Sequence, residues 1–188
     1  MKKINFGSHK DFETRAVNLK KIMIELNIAD PNLIKGCNHQ EIMQLEQENN
    51  VLFPQSYKVF LKHFGHGLGG RVMNDIDILY EDISGLTNLL RDEVLIEDGD
   101  PVLPKKAFVF SARYGEQFMF FDTNRVQSEP AIFYYIENAQ NFSQVGDSIF
   151  DVLEEEIQLA YTLKLKSEKI REETKKIKEE AKKRKENS

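Results

Sequence analysis

Hydrophobic residues recur at helical spacing in the first third of the chain. The first stripe has five members: Phe12, Ala16, Leu19, Met23 and Leu26. Asn38 and Glu41 have the spacing of a capping box, so they predict the start of a second helix. Pro54 is typical of the first turn of a third helix, which Gly65 or Gly67 would end in a left-handed cap. The stripe of this third helix consists of Phe53, Tyr57, Phe60, Leu61 and Phe64.

After the glycine-rich bend the pattern becomes that of strands. Alternating polarity across residues 72–80 predicts a strand with one solvent-facing side. Residues 107–112 and 117–122 are apolar on both faces and predict a central hairpin, followed by a strand at 131–137. A last helix is predicted from Ser148. This order predicts a single α+β domain, in which N-terminal helices pack on a mostly antiparallel sheet and a C-terminal helix closes the domain.

Charge divides the chain into two unequal parts. Residues 164–188 hold 11 of the 26 basic side chains and 6 of the 31 acidic ones, which gives +5 there and leaves −10 on residues 1–163. The acidic part disfavours nucleic acid and favours a basic protein partner. The tail is predicted to be a charged helix that stays solvated or frays, or that pairs with another chain. Its six glutamates and its lack of a bulky apolar face argue against membrane binding.

The remaining composition favours the cytoplasm. Cys37 is the single cysteine, which excludes an internal disulfide framework and suits a reducing compartment. No apolar run approaches the roughly 20 residues that span a bilayer, and the N-terminus lacks the apolar core of a secretory signal.

Several residues could carry chemistry, but none forms a recognisable catalytic pattern. The stretch 65–70 is rich in glycine, yet it follows a helix and lacks the Lys-Ser or Lys-Thr of a phosphate-binding loop. His63 and His66 match no metal-ligand spacing, and Cys37 lacks a partner base. We therefore predict a protein that is not an enzyme and that has no cofactor and no metal.

An acidic run is the strongest candidate for binding. Nine carboxylates lie within the 26 residues from Asp75 to Asp100. Such a run is either an ordinary solvated edge or a docking surface for a basic protein. On the second interpretation the partner-binding residues are Met73, Asp75, Asp77, Leu79, Glu81, Asp82, Asp98 and Asp100, with Met73 and Leu79 supplying apolar contact.

Several motifs occur in a fixed order: the Glu41-Ile42 pair, the sequence FPQSYKVFL at residues 53–61, QFMFFDT at residues 117–123 and DSIFDVL at residues 147–153. On these motifs, residues 38–163 resemble the SUKH superfamily, the Smi/Knr-type domain. The matching motif residues are Glu46, Pro54, Tyr57, Phe60, Gly67, Gly69, Gly70, Phe121 and Asp122. We accordingly predict an N-terminal helical extension at 1–34, a SUKH-like domain at 35–163 and the charged tail at 164–188.

The resemblance implies a function as well as a fold. Bacterial members of this superfamily are immunity proteins that bind and neutralise a toxin, often a nuclease, whereas fungal members resemble regulatory scaffolds. A cognate basic toxin is therefore the expected partner, bound stoichiometrically and without chemistry. A regulatory interaction module of the same fold is the alternative.

Overall fold

A computed structural model describes residues 3–9, 11–99, 101–124 and 129–186. Helices and antiparallel strands follow one another in an order that confirms the α+β prediction. The first half contains α1 (Phe12–Glu25), β1 (Ala29–Lys35), α2 (His39–Asn49), α3 (Gln55–Phe64) and β2 (Gly67–Gly70). The second half contains α4 (Leu86–Asn88), a π turn (Leu89–Val94), α5 (Leu95–Asp98), β3 (Ala107–Arg113), β4 (Gln117–Asp122), β5 (Ile132–Ile136), β6 (Ser143–Gly146) and α6 (Ile149–Glu186).

Helix α2 begins and ends as the sequence predicts. The Asn38 side chain accepts the N–H of Glu41 at 3.0 Å, and Glu41 in turn accepts the N–H of Asn38 at 2.7 Å. Asn50 closes the helix in the left-handed conformation. The predicted left-handed end of α3 is wrong, because Gly65 has φ −59° and remains right-handed.

The predicted stripes of α1 and α3 form the main core. Ala16, Leu19 and Met23 on α1 and Phe60 and Phe64 on α3 are fully buried. They pack with the first three turns of α6 against one face of the sheet. Although α1 falls in the predicted N-terminal extension, it therefore shares the core of the following segment.

Four antiparallel strands form the main sheet in the order β3-β4-β5-β6. Phe108 and Phe121 face the main core, whereas Phe118 and Phe120 face a second core beneath α4 and α5. This confirms that the hairpin is apolar on both faces. The predicted central position of the hairpin is correct for β4 only, because β3 lies at one end of the strand order.

The strand predicted at residues 72–80 is wrong. This segment consists of turns and bends, with one isolated bridge from Asp77 to Ala112. Met73 has φ +53°, a left-handed conformation that breaks an extended run. The glycine-rich bend before it is instead strand β2, which pairs with β1.

Beyond the body, α6 continues as one helix to Glu186. Its described side chains from Leu165 onward are exposed, and pairs four residues apart, such as Lys169 with Glu173, support it. In the described part of the chain, no helix has the length and apolar character needed to cross a membrane.

Candidate functional site

Five of the eight predicted partner-binding residues lie on an irregular stretch, residues 74–82, which we call the acidic segment. Side chains within and beside the segment are buried in the protein and hold its backbone. Among them are Val72, Ile78 and Ile83, each 1% exposed. Backbone bonds also hold the segment, since Asp77 donates to the carbonyl of Ala112 at 2.7 Å and accepts from its N–H at 2.9 Å. The backbone is irregular but held in one position.

Four carboxylates of the acidic segment reach the surface: Asp75, Asp77, Glu81 and Asp82. Met73 is only 6% exposed, so the prediction that it supplies apolar contact to a partner is wrong. Its left-handed backbone turns the side chain into the core. Leu79 is half-buried against the same core.

Two predicted residues cannot be placed on this surface. Asp98 is the last residue of α5, but its side chain lies outside what the structure describes. Asp100 lies outside the described residues altogether. The partner-binding role of both stays a prediction.

Two of the exposed carboxylates already have a cationic neighbour. Asp75 lies 3.3 Å from a guanidinium nitrogen of Arg113 at the end of β3. Glu81 lies 2.6 Å from Nδ1 of His66, which follows α3. Sequence reasoning missed Arg113 because 38 residues separate it from Asp75 and neither belongs to a motif.

Asp77 and Asp82 are the exposed carboxylates of the acidic segment that have no basic neighbour among the described residues. Partial burial raises the pKa of Asp82, the Leu79 N–H lowers it, and the charges of Asp77 and Glu81 raise it again. The net effect is a raised pKa for Asp82, for which burial is the largest cause and the charges of Asp77 and Glu81 are smaller ones. Among the described residues, no basic side chain lies within ion-pair distance of Asp77 or Asp82. A cation brought to this place from outside would favour the ionised form of Asp82.

His66 joins the acidic segment to α2. Its Nε2 lies 3.2 Å from Glu41 and its Nδ1 2.6 Å from Glu81. Burial lowers the pKa of His66, but the two carboxylates outweigh burial and raise it. Protonated His66 therefore ties the two carboxylates together.

Cys37 adjoins this group. Cys37, Glu41 and His66 each offer a ligand atom, all within 4.8 Å of one another. Both nitrogens of His66 face carboxylates, Glu41 at Nε2 and Glu81 at Nδ1. Burial, with the charges of Glu41 and Glu81, raises the pKa of the Cys37 thiol to about 12, so the thiol stays protonated. The group therefore consists of His66 paired with two carboxylates, beside a neutral thiol.

The predicted motif residues hold the fold rather than line a binding surface. Glu46 accepts the N–H of Phe53 at 2.7 Å and pairs with Lys58 at 2.8 Å, which joins α2 to α3. Pro54 is the N-cap of α3. The remaining motif residues are either core aromatics or belong to strands: Tyr57, Phe60, Gly67, Gly69, Gly70, Phe121 and Asp122.

Two of the motif glycines allow β1 and β2 to approach each other. A Cβ on Gly67 would lie 2.3 Å from the Leu33 carbonyl oxygen, and one on Gly69 would lie 2.3 Å from the Cβ of Ala29. No larger residue fits at these positions without moving β1.

A cavity of about 550 Å³ lies away from the acidic segment, at the end of α2. Its wall includes the exposed apolar side chains of Met43 and Leu52 together with Lys106. Among the described residues of its lining, the hydroxyl of Thr123 donates to the backbone carbonyl of Lys106 at 2.8 Å and has no side-chain base as its partner.

The comparison with protein families agrees with this structural account. The family model SUKH_6, described as SMI1-KNR4 cell-wall, matches residues 39–153, more than half of the chain. The match begins at α2 and ends within the first turns of α6, so it includes the acidic segment and all the motif residues. No curated protein matches the chain significantly.

Proposed function

The chain belongs to the SUKH family of SMI1-KNR4 proteins, and from that premise we propose that it is an immunity-type protein that neutralises a basic protein toxin. The toxin is held stoichiometrically on the acidic segment, in the cytoplasm, and no bond is made or broken. A nuclease is the favoured toxin class, because a protein that holds nucleic acid needs a basic surface.

The observation that carries this proposal is the exposed pair Asp77 and Asp82, which lies beside Glu81 and which no basic side chain of the described residues neutralises. A cluster of like charges costs the isolated protein stability, and a basic partner removes that cost on binding. The negative charge also steers a basic partner and so accelerates association. The net charge of −10 on residues 1–163 adds a long-range attraction of the same sign.

The fixed backbone of the acidic segment supports the same proposal. Because Val72, Ile78 and Ile83 are buried, the backbone that carries the carboxylates is already in place before a partner arrives. A preorganised surface loses little conformational entropy on binding, which favours slow dissociation.

The test uses the product of the neighbouring reading frame as the partner. Asp77→Asn and Asp82→Asn, alone and combined, keep the side-chain shape and remove charge. In a surface-plasmon-resonance titration at low salt, the double variant should associate about tenfold more slowly, and its rate should depend less on salt. Glu25→Gln is the matched control, since Glu25 is 61% exposed and lies on α1, outside the acidic segment.

Two results would reject the proposal. One is an association rate for the double variant equal to that of Glu25→Gln. The other is purified protein that fails to bind the neighbouring gene product at all.

The projecting part of α6 favours a second function, that of a regulatory scaffold which uses the tail to hold a partner. Deleting residues 166–188 distinguishes the two functions, because the described side chains of that stretch are exposed and the main core contains none of them. A scaffold should lose its partner on deletion, whereas a toxin held on the acidic segment should remain bound with unchanged affinity.

A further inference from the structure

The tail of α6 carries an uncharged seam on an otherwise charged helix. Its members recur at alternating steps of four and three residues: Leu163, Ser167, Ile170, Thr174 and Ile177. Between residues 164 and 180, Leu165 is the only uncharged residue off this seam. A three-four repeat is the pattern of a helix that pairs in a coiled coil.

The apolar members of the seam are largely exposed to solvent in the described part of the chain. Leu163 is 54% exposed, Ile170 61% and Ile177 66%. The two hydroxyl groups of the seam bond backbone carbonyls of the same helix, Thr174 to Ile170 at 2.8 Å and Ser167 to Lys164 at 3.2 Å. The seam can therefore enter an interface without leaving an unsatisfied polar group.

The body does not obstruct this seam. Helix α6 buries Ile157 and Tyr161 in the body, and Lys164 reaches back to the carbonyl of Leu26 at 2.7 Å. At 3.6 residues per turn, Leu163 lies roughly 100° around the helix from Lys164. The seam therefore faces sideways relative to the body and not towards it. A two-fold axis parallel to the seam places the two bodies on opposite sides of the paired helices.

From these observations we propose that the tail forms a parallel two-stranded coiled coil with a second copy of this chain. With Ser167 and Thr174 at positions a, and Leu163, Ile170 and Ile177 at positions d, the flanking g position holds Glu173 and the next e position holds Lys178. In a parallel dimer each Glu173 faces the other chain's Lys178, so this attractive contact occurs twice in the dimer.

Charge also selects the orientation. An antiparallel pair would bring e positions together, and these hold Lys164, Arg171 and Lys178, which repel one another. The parallel pair also has a repulsive contact, between Lys166 of one copy and Arg171 of the other, which likewise occurs twice. With this contact and with small residues at a, the dimer is weak and depends on concentration. This inference stands independently of the proposed function.

Sedimentation equilibrium of the full chain tests the dimer. The average mass should rise from 21.9 kDa towards twice that value as concentration increases. Ile170→Glu and Ile177→Glu should each hold the mass at that of the monomer. Leu165→Glu is the matched control, because it makes the same chemical change on the side of the helix away from the seam and should dimerise as the parent does. A mass that stays at 21.9 kDa throughout overturns the proposal.

A charge exchange tests the parallel orientation. Glu173→Lys should weaken the dimer at least severalfold, because it faces Lys178 of the other copy, and adding Lys178→Glu should restore it. Helix content is followed by circular dichroism, since Glu173 also pairs with Lys169 within the helix. Failure of the double variant to restore dimerisation, with helix content unchanged, overturns the parallel arrangement.

Cross-linking gives an independent check of the same orientation. A parallel dimer places the two copies of residue 167 side by side, so Ser167→Cys should form a covalent dimer with diamide. Lys169→Cys, off the seam, should not. The parent chain is the negative control, because Cys37 is buried. Equal cross-linking of the two variants would contradict the proposal.

Discussion

Glu46 offers a sharp test of whether a family motif residue stabilises the fold or binds a partner. Its carboxylate is 12% exposed and accepts the N–H of Phe53 at 2.7 Å. The same oxygen lies 2.8 Å from the ammonium group of Lys58, which is 36% exposed. Together these contacts fix the corner between α2 and α3.

Replacing Glu46 by Ala removes both contacts and leaves the N–H of the buried Phe53 without its acceptor. A hydrogen bond to a charged group contributes about 1.5–3 kcal/mol. The ion pair adds about 0.5 kcal/mol, because Lys58 is partly in water. We therefore expect Glu46→Ala to lower the free energy of unfolding by about 2–3 kcal/mol.

Two further variants separate the contributions. Glu46→Gln keeps a neutral acceptor for Phe53 and should lose about 1 kcal/mol. Lys58→Met removes the ion pair alone and should lose about 0.5 kcal/mol. Urea unfolding followed by far-UV circular dichroism measures all three.

The relative sizes of the three losses in unfolding free energy show which contact of Glu46 stabilises the fold. If Lys58→Met destabilises as much as Glu46→Ala, the ion pair dominates and the reasoning is wrong. If Glu46→Gln folds normally but abolishes partner binding, Glu46 belongs to the binding surface instead.

Two other predictions concern the junctions around the acidic segment. The folded-state pKa of His66 is raised above 6.5, so the ion pairs of His66 stabilise the fold fully below that pH and cease to do so as pH rises through the folded pKa. Between about pH 6 and pH 9, the free energy of unfolding should therefore fall more in the parent than in His66→Gln. Equal losses in the two proteins would contradict this. Gly69→Ala should destabilise by about 3 kcal/mol in urea unfolding, since φ is +90° and the new Cβ meets β1. Gly85→Ala, with φ +85° and open space, should lose only about 1 kcal/mol, and equal losses would exclude the clash.

Helices and the central hairpin could be predicted from the sequence because their signals are local. The capping box of Asn38 and Glu41 lies within four residues, and the hairpin of β3 and β4 needs only adjacent apolar runs. The ribbon of β1 and β2 could not be predicted. One strand contains Pro31 and the other is almost all glycine, and each is extended only because the other pairs with it.

The acidic segment shows why its charge could be predicted but its geometry could not. Alternation across residues 72–80 suggested a strand, but the apolar residues there are anchors of an irregular backbone. Two consecutive residues, Val72 and Met73, are both buried, which no strand with a solvent-facing side allows. The neutralising partners Arg113 and His66 come from distant elements, so no local pattern reveals which carboxylates remain unpaired.

Stability and binding make opposite demands on Asp82. Its pKa is raised in the folded protein, so keeping it ionised at neutral pH costs the fold stability. An uncharged side chain at this position would remove that cost. The N–H of Leu79 donates a hydrogen bond to the Asp82 carboxylate, and this bond offsets the cost only in part. The buried side chains of Ile78 and Ile83 hold the backbone that carries Asp77 and Asp82, so the two carboxylates stay on the same surface. If a basic partner binds there as proposed, its positive charge lowers the cost of keeping Asp82 ionised, and binding then favours the carboxylate that the isolated fold does not.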